Sequence, residues 1–255
     1  MIYEVYIIDF NSGMPYIDKT YRKIHLGVHN NLVSGLLHVV FTMFDKEMEI
    51  GNLKSIETQD YKLIYLRREE LLYVTLADIK LEEKKIYAML NQLALAFQED
   101  YNRETLSAWS NDITIFYPFV SKMDTIVTNT IAEIFFEQYP SNIVTLTNYI
   151  NENYTLEYQE AIGKRLAEKI LAERFSNVAK KRNLKRELSK FTVVKELTDN
   201  YVKLKVCPFC RKKHSTEPIC NFVTGFIQGM LKSDNWVEST CVGRGDAACS
   251  FVKKN

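Results

Sequence analysis

Residues 2–9, IYEVYIID, run into Asn11-Ser12-Gly13, and this junction sets the reading of the first hundred residues. A short stretch of β-branched and aromatic residues closed by turn chemistry predicts a strand. A second extended run, from Met14 to Tyr21, completes a hairpin. From Asn30 to Glu47 the spacing changes. Leu32, Leu36, Val40 and Phe44 follow one helical face, and Val33, Leu37 and Phe41 widen it. A helix this apolar must be covered on more than one side. Gly51 punctuates its end, and three strand-like runs follow at Leu53–Thr58, Tyr61–Arg67 and Leu71–Leu76. The next helix, Glu82 to Tyr101, places Ile86, Leu90, Leu93 and Phe97 on one stripe. Two strands, a helix, three strands and a helix predict a five-stranded antiparallel sheet with helices packed on it, a two-layer α+β class.

Further along, Tyr117 to Phe136 reads as another helix. Pro140 then marks a break, because the residue before a proline is pushed out of helical geometry. Helices are predicted over Asn142–Asn151 and Gln159–Phe175, the second burying Ile162, Leu166, Ile170 and Leu171. A basic run at 180–186 precedes a hairpin of Phe191–Leu197 and Tyr201–Val206, turned at Asp199-Asn200. The expected division is 1–138 and 139–255, the second part combining helices with a small antiparallel sheet. A length of 255 residues suits two domains.

Composition narrows the class. With 46% hydrophobic and 25% charged residues, the chain can fill two modest cores, which excludes wholesale disorder. A net charge of +1 argues against a broadly basic nucleic-acid binder. No apolar stretch is long enough to predict a transmembrane helix, and the start lacks the basic region and cleavage site of a signal peptide. The expectation is a cytoplasmic protein.

The element order and apolar pattern of residues 1–135 resemble the longin and roadblock group of small α/β domains. That resemblance implies a non-enzymatic platform of the kind used in membrane-traffic and GTPase-regulating assemblies, pairing through a helix or a sheet edge.

All five cysteines, Cys207, Cys210, Cys220, Cys241 and Cys249, lie in the last fifth of the chain. An odd number confined to one region points to metal binding or packing rather than a disulfide framework. Thiolate sulfur suits zinc, and Cys207-Pro208-Phe209-Cys210 has chelating spacing with three further cysteines behind it. Cys220 leads an apolar helix carrying Gly225 and Gly229. Then come Glu238-Ser239-Thr240-Cys241 and, eight residues on, Cys249. This pattern resembles the vinyl-4-reductase domain, a small-molecule-binding module of archaeal proteins and bacterial aromatic-sensing regulators, over about residues 140–253. The resemblance implies a zinc held by Cys220, Glu238, Cys241 and Cys249. Cys207 and Cys210 depart from that pattern and offer an alternative set, replacing Glu238 and one cysteine. Six candidates exceed four tetrahedral positions, so either some are bystanders or a second site exists. His214 is a further candidate ligand, with an exposed loop histidine as the plainer reading.

A closed set of protein ligands implies structural zinc. Little else suggests catalysis: there is no nucleophile elbow, phosphate-cradling glycine loop or H-E-x-x-H. Gly243-Arg244-Gly245-Asp246 reads as a tight turn between ligands. His25, His29 and His38 have no matching constellation, and His38 reads as a satisfied core or interface residue. The basic run reads first as a solvated helix end and second as a contact for an anionic membrane or acidic partner. The Asn30–Phe44 helix is expected either to be buried or to form a dimer seam. Longin-like subunits and subunits sharing the vinyl-4-reductase fold are together the building blocks of TRAPP tethering complexes, which activate small GTPases on membranes. The combined resemblance implies a zinc-stabilised scaffold of an archaeal relative of these subunits, one that assembles with itself as a dimer or with longin- or TRAPP-type partners. The alternative is a sensor enclosing a hydrophobic ligand near Phe222, Phe226, Ile227 and Met230, whose plainer reading is core.

Overall fold

The computed structural model describes residues 1–22, 30–43, 53–108, 112–210, 215–216 and 219–254. The chain divides into two compact units, Met1–Thr130 and Ile131–Asn255. The division falls inside a helix, upstream of the boundary expected at residue 138. The fold class is α+β, as the periodicity indicated, with one antiparallel sheet in each unit.

In the first unit, β1 (Ile2–Asp9) and β2 (Pro15–Thr20) form the expected hairpin. Its turn depends on Gly13, which has φ +74 and whose added Cβ would stand 2.7 Å from the His38 ring. Helix α1 (Asn30–Thr42) follows, then β3 (Ser55–Glu57), β4 (Tyr61–Arg68) and β5 (Leu71–Asp78). The sheet order is β2-β1-β5-β4-β3. Strand β3 keeps only three of the six residues expected from Leu53 to Thr58, because the chain turns early and Thr58 Oγ1 donates to the Tyr61 carbonyl. The predicted extension of α1 to Glu47, its Phe44 and the stop at Gly51 lie outside the described residues, as do the side chains of Leu32 and Val33.

Side chains alternate across a strand, so one run can serve two faces. Tyr6, Ile8, Leu72 and Val74 pack with Leu37 and Phe41 of α1. Tyr73 points the other way, where its ring meets Phe97 of α2 (Glu83–Asp100). This two-sided cover explains why β1 and β5 are buried almost end to end. The apolar width of α1 is only partly absorbed: Leu37 and Phe41 are buried, whereas Leu36, Val39 and Met43 are exposed. His38 Nε2 donates to the Phe10 carbonyl at 2.7 Å, the structural role expected for it. His25 and His29 lie outside the described residues.

After α2 come a short helix α3 (Arg103–Ser107), a 3-10 turn (Ile113–Phe116) and the long α4 (Tyr117–Gln138). Asn102 and Asp112 cap the two short elements, accepting from the Thr105 and Thr114 N–H groups. The turn sets Phe116 against Tyr16 at 4.7 Å, and α4 brings Phe119 to 5.0 Å from Phe97.

The second unit contains α5 (Ile143–Asn153), α6 (Leu156–Phe175) and α7 (Lys181–Leu188). The basic run is therefore most of a helix of its own, which buries Leu184, Glu187 and Leu188. Strands β6 (Val193–Leu197) and β7 (Tyr201–Val206) form the expected hairpin. They join β8 (Trp236–Thr240) and β9 (Cys249–Lys253) in the order β6-β7-β9-β8. Helix α8 (Asn221–Leu231) is buried from Phe222 to Met230.

Its contact with α6 is made through backbone. An added Cβ would lie 1.9 Å from the Glu160 carbonyl oxygen at Gly225 and 2.4 Å from that of Lys164 at Gly229. At Gly163, on the facing helix, it would lie 2.2 Å from the Phe222 carbonyl oxygen. Small residues four apart on both helices, Gly225 and Gly229 against Gly163 and Ala167, thus allow an approach that no larger side chain permits. Among the described residues, no helix is long and apolar enough to cross a membrane.

Candidate metal centre

The cysteines gather because of strand register. Antiparallel pairing sets Leu204 of β7 opposite Cys249 of β9, and Thr240 of β8 opposite Ser250. The ends of β7 and β8 therefore meet the start of β9 at one margin of the sheet. Cys207 and Cys210 follow β7, Cys241 follows β8, and Cys249 opens β9. Cys220 is the N-cap residue of α8, where the helix dipole favours negative charge.

Local packing fixes the Cys207–Cys210 loop. Phe209 is buried and stacks on Phe222 of α8 with ring centroids 5.2 Å apart, and its carbonyl accepts from Asn151 Nδ2 at 3.1 Å. The Gly243-Arg244-Gly245-Asp246 segment is a turn. A 3-10 turn spans Val242–Arg244, and Gly245 follows at φ +96, a backbone state that glycine adopts freely. Asp246 Oδ2 accepts from the Cys241 N–H at 2.7 Å, and Arg244 donates to the Ser239 carbonyl at the same distance.

All five thiols are free and buried. Cys207 Sγ lies 3.2 Å from Cys220 Sγ, and Cys210 Sγ lies 3.1 Å from Cys249 Sγ. Cys220 Sγ is 3.7 Å from Cys249 Sγ and 3.9 Å from Cys241 Sγ. Four sulfurs around a zinc at about 2.3 Å would be separated by roughly 3.8 Å, so the last two separations are already those of a tetrahedral site. Two ligand sets emerge, each with donor atoms within 4.8 Å of one another. One is Cys207, Cys210, Cys220 and Cys249, and the other is Cys220, Glu238, Cys241 and Cys249. They share Cys220 and Cys249. Glu238 Oε2 accepts from the Cys220 N–H at 3.1 Å, while Oε1 is buried with no hydrogen-bond partner among the described residues. His214 lies outside the described residues.

Thiol–thiol hydrogen bonding divides the protons unevenly. Contacts with Cys207, Cys220 and Cys249 hold the Cys210 thiol far below its ordinary value. Hydrogen bonding from Cys220 lowers Cys241, against burial and the Glu238 carboxylate beside it. Cys220 is pushed up by its contacts with Cys207 and Cys210, and Cys207 rises through Cys210. The cluster concentrates thiol sulfur, whose deprotonated form is the donor that a borderline or soft cation requires. Its residues fit a metal centre built wholly from protein ligands.

Phe222, Phe226, Ile227 and Met230 are fully buried among other side chains, with Phe191 5.4 Å from Phe226. Sequence reasoning passed over Gly163, Asn151 and strands β8 and β9. The Gly163/Ala167 spacing was a readable signal, whereas Asn151 carried none. No protein-family model matches the chain, and neither does any curated protein.

Proposed function

We propose that the chain is a non-enzymatic scaffold whose second unit is held together by structural zinc. One observation carries this reading: each candidate set offers four protein donors, buried cysteines with Glu238 half-buried, enough for a tetrahedral coordination sphere without water. A catalytic zinc keeps an open position, and hydrolysis needs one. The five-stranded first unit, with helices on its sheet, fits the longin-like resemblance. The cysteine-led helix with its backbone-packed glycines fits the vinyl-4-reductase resemblance. On these likenesses the chain works as an interaction platform of the TRAPP type, pairing with itself or with longin-type partners, cytoplasmic or peripheral to a membrane, and acting on a small GTPase.

Native mass spectrometry of the purified full chain tests the reading. Zinc-loaded, self-associated protein without a retained small molecule is the expected result. A co-purifying hydrophobic molecule would favour a ligand sensor. Hydrolytic turnover that chelation abolishes at unchanged thermal stability would make the chain an enzyme.

A further inference from the structure

The two ligand sets overlap in a particular way. They share one edge, Cys220–Cys249, and each set adds two donors of its own, Cys207 with Cys210 and Glu238 with Cys241. The shared edge is 3.7 Å long, close to the roughly 3.8 Å expected between sulfurs of a tetrahedral zinc site. Any single metal leaves part of this arrangement unexplained. In the four-cysteine set, a metal leaves Glu238 Oε1 buried without a partner among the described residues. In the Glu238 set, a metal leaves Cys207 and Cys210 as bystanders, although their sulfurs stand 3.2 Å and 3.1 Å from the two shared ligands.

We propose that the centre is binuclear, holding two zinc ions in tetrahedra that share the Cys220 and Cys249 thiolates as bridges. Cys207 and Cys210 complete one tetrahedron, and Glu238 and Cys241 complete the other. With all six donors ionised on metal binding, two divalent cations leave two negative charges, the residual charge of an ordinary four-thiolate zinc site. Each donor in the cluster then has a cation to face. The bridges come from the helix α8 N-cap and the start of β9, whose sulfurs stand 3.7 Å apart.

The proposal deepens the structural-zinc reading and rests on it, so the test separates the two. Elemental analysis of the full chain, purified under reducing conditions, is expected to give two zinc ions per chain. Cys207→Ser and Cys241→Ser are each expected to retain one. Cadmium-113 NMR of the cadmium-substituted full chain should show two resonances, mutually coupled through the bridging sulfurs. Glu238→Gln should shift only one of them strongly. A single zinc in the unaltered protein overturns the binuclear centre while leaving structural zinc intact, and the variant that loses it names the occupied set. Two uncoupled resonances overturn the bridges. No zinc at all, with melting unaffected by chelator, overturns the structural-zinc reading as well. The metal count of the unaltered chain decides between one ion and two even where a variant fails to fold.

Discussion

In the first unit, Phe97 is ringed by Tyr16, Tyr73, Tyr101, Phe116 and Phe119, with centroids 4.8 to 6.5 Å away. In the second, five thiols crowd one sheet margin, and two helices meet with carbonyl oxygens where side chains would normally stand. The first interior is apolar burial, which is non-directional and graded. The second depends on closely set positions, where a small displacement separates clustered thiols or closes a helix contact. One unit should therefore lose stability by degrees and the other abruptly.

The largest effect should come from removing metal. Structural zinc contributes on the order of 10–16 kcal/mol of apparent binding energy in small zinc-finger peptides. Even a fraction of that rivals the roughly 5–15 kcal/mol net stability of a domain. Hydrogen exchange on the chelated full chain should show peptides from 131–255 losing protection while those from 1–130 keep theirs. Equal losses in both units would break the contrast.

Truncation in the apolar unit comes next. Phe97→Ala should cost about 3–5 kcal/mol by cavity formation and leave metal content unchanged. A loss of metal in this variant would mean that the units are not energetically separate.

Gly225→Ala should cost about 3 kcal/mol, at the upper end of overpacking, because the new methyl meets backbone that cannot rotate away. Gly35 in α1 sharpens the point, since an added Cβ there meets nothing within 4 Å among the described residues. Gly35→Ala should stabilise the first unit by about 0.5–1 kcal/mol through helix propensity. Denaturant midpoints for the two variants should move in opposite directions, and a shared sign would sink the backbone-contact account.

A smaller effect concerns acid. Glu187 is fully buried, and burial alone would raise its pKa. Hydrogen bonds from Lys190 and Tyr139, with the charge of Lys190 and a bond from Arg186, instead hold it below the ordinary 4.5. A depressed carboxylate contributes stability that is complete above its unfolded pKa and is lost as pH falls through the folded one. The second unit should therefore weaken below about pH 4.5, and Glu187→Gln should flatten that part of the profile. Identical acid limbs for the two proteins would remove Glu187 from the account.

Periodicity made much of this legible. In α1 the buried residues are Leu37 and Phe41, which only widen the predicted face, while Leu36 of its main stripe is exposed; in α2 Ile86, Leu90, Leu93 and Phe97 all lie on the buried side. Strands β8 and β9 escaped because Trp236–Thr240 and Cys249–Lys253 are only five residues long and lack clean alternation. The capped α3 was missed, although Asn102 followed by Thr105 carries a capping signal.

By itself, the sequence determined the α+β class, the order of most elements and the set of residues able to bind a metal. Those follow from local spacing and from the chemistry of thiol side chains, which need no partner to be recognised. Tertiary structure alone decided which cysteines stand together and that Cys220 and Cys249 belong to both sets. It also decided that Gly163 faces Phe222 across the helix contact. Those facts depend on the register of β7, β8 and β9 and on how closely α6 approaches α8. Both are set by packing between segments far apart in the chain, and no local pattern records them.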